Sequence, residues 1–111
     1  MAKTPKFEAS SGNIFADLGL PDSEELLLKA EIVSELMRLM KLRKLTQSKA
    51  AILTGVAQPD LSALFRGRLR GFSIERLLTM LTAFGRDVEV VVRPAAKAGK
   101  KGGMRFRREA A

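Results

Sequence analysis

Apolar residues recur at helical spacing in two long stretches of the chain. Leu26, Ala30, Val33, Met37 and Met40 fall at alternating steps of four and three, which lines one face of an α-helix. Leu27, Leu36 and Leu39 widen that face. Asp22 or Ser23 is placed to cap its start, with Glu24 and Glu25 favourable in the positive first turn and Lys41, Arg43 and Lys44 in the negative last turn. A second stripe, Ile74, Leu77, Leu78, Leu81 and Phe84, predicts a helix capped by Ser73 and stopped by Gly85. The pattern then changes. Residues 87–93 are rich in valine and closed by Pro94, which predicts a β-strand. Residues 104–107 alternate apolar and basic and predict a second, weaker strand. One small hairpin is marginal alone, so the valine strand needs a further partner. That partner is either the same strand of a second copy or a surface of the preceding helix, and both readings stay open.

Between the two long helices, residues 45–67 read as two short helices joined by a tight turn. Thr46 is a good N-cap for the first, at about 47–53. Ala50 and Ala51 are small enough for a second helix to cross closely, and Gly55 supplies the turn without a Cβ penalty. The second, at about 58–66, opens on Gln58 and Pro59; proline is tolerated in a first turn because the amide it lacks has no partner there. Leu61 and Leu64 or Phe65 point to the core, Gln58, Ser62 and Ala63 point outward, and Gly67 ends the helix. This is helix-turn-helix geometry, in which the start of the second helix reaches base edges in a DNA major groove.

Charge agrees with that geometry. The 111 residues suit one domain, 46% are hydrophobic, and the net charge is +8, which suits a polyanionic partner. The charge is uneven. Residues 1–37 hold three Lys against seven Asp and Glu, and residues 38–76 hold nine Lys and Arg against two acids. Residues 94–111 hold six basic residues against one acid. The positive charge thus coincides with the short helices, the loop after them (Arg66, Arg68, Arg70) and the tail. The chain has no Cys and no His, which removes disulfides, thiolate metal sites, and the commonest general base and metal ligand. No catalytic set converges, so an enzyme is not expected, and nothing calls for a cofactor. No apolar run spans a membrane and no signal peptide opens the chain, so a cytoplasmic location is expected. Residues 1–12 are expected to be disordered, 13–94 to form the DNA-binding domain behind a short apolar arm at 13–20, and 95–111 to be a basic tail.

The residues Leu45-Thr46-Gln47, Ala51, Gly55, Gln58-Pro59, Leu61-Ser62 and Arg66-Gly67 resemble the Xre/Cro-type helix-turn-helix family. Within it the chain is most similar to HigA-type antitoxins of type II toxin–antitoxin pairs. That likeness rests on Phe15-Ala16-Asp17-Leu18-Gly19, Glu24-Glu25, Lys29-Ala30-Glu31, Phe72-Ser73-Ile74-Glu75-Arg76-Leu77 and Gly85-Arg86-Asp87-Val88. The resemblance implies a mainly α fold of four to five helices with a C-terminal β-strand or hairpin. It implies a repressor that binds double-stranded DNA at an inverted-repeat operator as a homodimer, regulates its own operon and binds a toxin. A protein-interaction module that mainly neutralises a toxin, or a stand-alone repressor with no toxin, remains open. The resemblance places Gln47 on a phosphate and Gln58 on a base, where its amide suits adenine N6 and N7. Ser62, one turn on, reaches a base or a phosphate. Pro59 and Ala63 fill outward positions that are often polar in the family; neither side chain donates, though each suits contact with a thymine methyl, and this leaves room for readout of DNA shape. Arg66, Arg68 and Arg70 are expected on phosphates rather than bases, the alternative being solvated loop arginines.

Overall fold

The structure, a computed structural model, describes residues 13–109. The expected disorder of residues 1–12 lies outside the described residues. Five α-helices follow in order: α1 (Ile14–Asp17), α2 (Ser23–Leu42), α3 (Gln47–Thr54), α4 (Gln58–Phe65) and α5 (Ile74–Ala83), with a 3-10 turn at Leu69–Gly71 before α5.

Helix α2 is the spine. It touches α1, α4, α5 and the 3-10 turn, and so is covered from several sides. This widens its buried surface beyond the narrow stripe expected from spacing alone. Leu26, Ala30, Val33, Leu36 and Leu39 are buried as expected, but so are Leu28 and Ile32. Met37 is a correction: it lies at the edge of the covered surface and is 46% exposed. Leu36, Leu61, Leu64 and Leu77, from three different helices, are all fully buried and form the centre of the core.

The helix ends follow local chemistry. Thr46 and Ser73 cap α3 and α5 by accepting the amides of Lys49 and Arg76 at 3.2 and 3.0 Å. At the end of α2 the amides of Lys44 and Leu45 donate to the carbonyls of Lys41 and Met40, the double bond pattern that normally closes on glycine. Here Lys44 takes the left-handed conformation, with φ of 55°. Beside it, Arg43 donates to the Phe84 carbonyl at 3.2 Å and rests on the Phe84 ring, tying the end of α2 to the end of α5. Asp22 occupies the cap position of α2 but makes no cap hydrogen bond, because its carboxylate is held by Arg70.

The expected C-terminal hairpin is absent. Among the described residues there is no strand: residues 87–93 and 104–107 are neither helical nor laddered. A ladder needs a neighbouring strand, and within one chain the second segment is claimed elsewhere. The Met104 amide donates to Glu24 Oε2 at 3.1 Å, Phe106 packs against the core, and Arg108 pairs with Glu35 at 3.2 Å. Gly103 lies close against this contact: a Cβ there would come within 2.9 Å of Glu24 Oε2, so the flexible Glu24 side chain would have to shift. Glu35, only 7% exposed, also takes a two-pronged bond from Arg38, whose pKa is raised by it.

Leu36→Ala should lower unfolding free energy by about 2–5 kcal/mol, the usual range for a fully buried leucine. Met37→Ala, at an exposed position one residue on, should stay within about 0.5 kcal/mol. Urea denaturation of both variants checks the burial pattern of α2, and equal destabilisation would contradict it.

Candidate nucleic-acid interface

Helices α3 and α4 pack against each other and against the spine through α4 and α5. Their relative angle is set in three residues. Gly55 ends α3 with φ of 76°, a conformation that costs an L side chain steric strain, and its amide donates to the Ala51 carbonyl at 2.9 Å. The Thr54 hydroxyl bonds the Ala50 carbonyl and accepts the Val56 amide, and Val56 itself is buried. Ala57 then starts α4 without a side-chain cap, leaving the first-turn amides of α4 open to solvent or to an anion.

One side of α4 is anchored and the other is presented. Leu61 and Leu64 are both fully buried, as the spacing predicts, and Phe65 is half-buried. Gln58 and Pro59 are exposed at the start of the helix, while Ser62 and Ala63 are half-exposed one turn on. Gln58 does not hang free: Ser48 Oγ of α3 donates to its Oε1 at 3.4 Å. That contact engages the oxygen of the amide and not its NH2 donor. Ser62 accepts from Arg66 Nη1 at 2.8 Å, which keeps its own hydroxyl hydrogen available to donate. Gln47 lies half-buried in the first turn of α3, beside Met40, Leu45 and Phe65.

The loop after α4 is built as firmly. The Arg68 amide donates to the Ala63 carbonyl at 3.0 Å, and Arg68 is exposed. Arg70 makes a fork on Asp22, Nε to Oδ2 and Nη2 to Oδ1, both at 2.9 Å. That bond holds the Asp22 carboxyl below its usual pKa and raises that of Arg70. So the two arginines, close together in the loop, sit in different states: Arg68 faces solvent, while one side of the Arg70 fork is already used. Arg76 stacks on the Phe72 ring at 4.4 Å. An open cleft of about 620 Å3 runs between this loop and α1, with Asp60, Arg68 and Arg76 on its rim.

Ser48 and Asp22 hold candidate site residues in place, and spacing does not single them out. Their partners are 10 and 48 positions away, Gln58 and Arg70, and no periodicity links such pairs. Asp60 is another residue that spacing does not single out. It suits the first turn of α4 electrostatically, but it is the one acid on the exposed start of that helix.

A family described as a helix-turn-helix domain matches residues 14–93. A solved structure whose name assigns it to the XRE family of transcriptional regulators is 38% identical, with a TM-score of 0.68. The match covers 82% of this chain and 100% of that one. No curated protein matches. Among the described residues no helix is long and apolar enough to cross a membrane.

The Asp22–Arg70 bond predicts a pH effect whose sign follows from the lowered carboxyl pKa. A carboxyl whose folded pKa is depressed contributes stability above its unfolded value of about 3.9, and that contribution fades as pH falls through the folded value. Asp22→Asn should therefore melt below the native protein at neutral pH, and the gap should close in acid. Paired thermal melts from pH 7 downward check this, and a gap that stays constant would show that charge is not its source.

Proposed function

Since the chain belongs to the XRE-type helix-turn-helix family, we propose that it is a transcriptional regulator that binds specific double-stranded DNA, with α4 as the recognition helix. The observation that carries this reading is Gln58, exposed at the start of α4, steered by Ser48, and backed by the buried Leu61 and Leu64. Its amide supplies the donor and acceptor that complement adenine in the major groove. Ser62 supplies a hydroxyl one turn on. Pro59 and Ala63 supply apolar contact to thymine. Gln47, Arg66 and Arg68 contact phosphates, and Arg70 adds its remaining donors while Asp22 holds the loop in place.

One helix-turn-helix reads only a few base pairs. A two-fold dimer places two recognition helices about 34 Å apart on one face of the duplex, so the operator is an inverted repeat. The finer role within the family is that of a HigA-type antitoxin repressing its own operon. The reading as a module that mainly neutralises a toxin draws on the acidic first third of the chain. Against it, several of those acids are already used within the chain: Asp22 by Arg70, Glu25 by Lys29, Glu35 by Arg38 and Arg108. Co-purification with the product of the adjacent reading frame separates an antitoxin from a stand-alone repressor.

Gln58→Ala should lower affinity for the operator by roughly 1–3 kcal/mol and leave non-specific binding nearly unchanged. Arg68→Ala should weaken binding to all sequences alike. Gel-shift titrations on operator and scrambled DNA measure both, and a Gln58→Ala protein with intact sequence preference would remove α4 from the recognition role. The basic tail is a further source of positive charge for the phosphates. Truncation before Ala95 should make the slope of log affinity against log salt shallower by about 0.9 for each phosphate that is no longer neutralised. An unchanged slope would place the tail off the DNA.

A further inference from the structure

Among the described residues, the four valines after α5 have no strand partner. The Arg86 amide, bonded to the Leu81 carbonyl at 3.1 Å, is the last main-chain tie to α5. Among the described residues, 87–93 make no main-chain hydrogen bond, and every one of these residues is exposed. Val90 is 79% and Val92 91% exposed, the latter more than any other large apolar side chain among the described residues. Seven residues with unused donors and acceptors and high β propensity form a template for a second strand.

We propose that residues 87–93 pair antiparallel with the same segment of a second copy, in the register that sets Val90 opposite Val90. The proposal rests on the two-fold regulator described above and names its interface. The sequence Asp87-Val88-Glu89-Val90-Val91-Val92-Arg93 is self-complementary about its middle residue. In that register Asp87 of each copy faces Arg93 of the other, once at each end of the ribbon. Val88 faces Val92, and Glu89 faces Val91. Because side chains alternate, Val88, Val90 and Val92 of both copies share one face, and the charged ends share the opposite one. Val88, nearest α5, is the least exposed of the four valines, at 38%, and Val90 and Val92 on the same face are among the most exposed apolar side chains described.

Neighbouring registers are worse. A register centred on Glu89 sets two carboxylates directly opposite each other, which is destabilising. One centred on Val91 keeps a Glu89–Arg93 pair but sets Val88 against Pro94, which has no amide to donate. Pro94 also ends the ladder on its own strand, which limits the ribbon to one short segment per chain.

The chain has no native Cys, so single cysteines report the register directly. Directly opposed residues have Cα atoms about 4.5–5.5 Å apart, within the span of a disulfide. Val90→Cys should form a disulfide-linked dimer under mild oxidation. Val92→Cys should not, because the two copies of residue 92 lie about 13 Å apart along the strands. Asp87→Arg and Arg93→Asp should each weaken the dimer by about 2- to 30-fold in sedimentation. The double variant should restore it, while circular dichroism shows the helices intact in all three. Stronger cross-linking by Val91→Cys than by Val90→Cys overturns the register. A protein that is dimeric and protects an inverted repeat, yet cross-links at none of these positions, overturns the strand interface and leaves the proposed function standing. A monomer that still protects operator DNA overturns the dimer while α4 keeps its role. A monomer with no operator binding overturns both.

Discussion

Burial of the wide apolar surface of α2 is the constraint on which the other elements depend. Neither α3 nor α4 is long enough to be stable in water alone, since isolated helices below about 12–15 residues are marginal. Each is eight residues long. They exist because Leu61, Leu64 and Ala50 join the same core as Ile32, Leu36 and Leu39. The orientation of α4, and so the direction in which Gln58 points, is inherited from that core.

The same helix organises the polar contacts. Asp22 at its start holds the loop after α4, Arg43 at its end holds the end of α5, and Glu24 and Glu35 along it hold the tail. Asp22 and Glu35 are thereby paired with the chain's own cations, and Glu24 with a main-chain amide. The uneven charge along the sequence becomes a division of labour in space. Acids fasten basic segments to the spine, while Arg66 and Arg68 are left exposed beside α4. The fork on Asp22 also separates Arg70 from Arg68: the first orders the loop from which the second projects.

The valine segment and the tail show how one chain can hold strand-forming residues without a strand. A ladder requires two edges. Residues 104–107 are drawn to α2 by Phe106 and by the flanking contacts of Glu24 and Glu35, so they do not offer one to the valines. The β-branched run is left exposed and without a neighbouring strand among the described residues.

Local chemistry determined much of this protein. The caps Thr46 and Ser73, the turn at Gly55, and the division of α4 into a face with Leu61 and Leu64 and a face with Gln58 are all legible in the sequence, because each follows from residues within about one or two helical turns. Family membership is legible for the same reason, since the helix-turn-helix is a short local motif. Other features rest on contacts that no spacing encodes. Ile32 and Leu28 are buried and Met37 is not, because α2 is covered from several sides at once. Ser48 steers Gln58 across the turn, and Asp22 leaves its cap role for Arg70, 48 residues away. The tail joins the helical core rather than the valines, because Met104, Phe106 and Arg108 find partners there that a weak second strand would not supply. Periodicity reports which face of an element is apolar. Only tertiary packing decides how much of that face is covered and which distant charge a side chain meets.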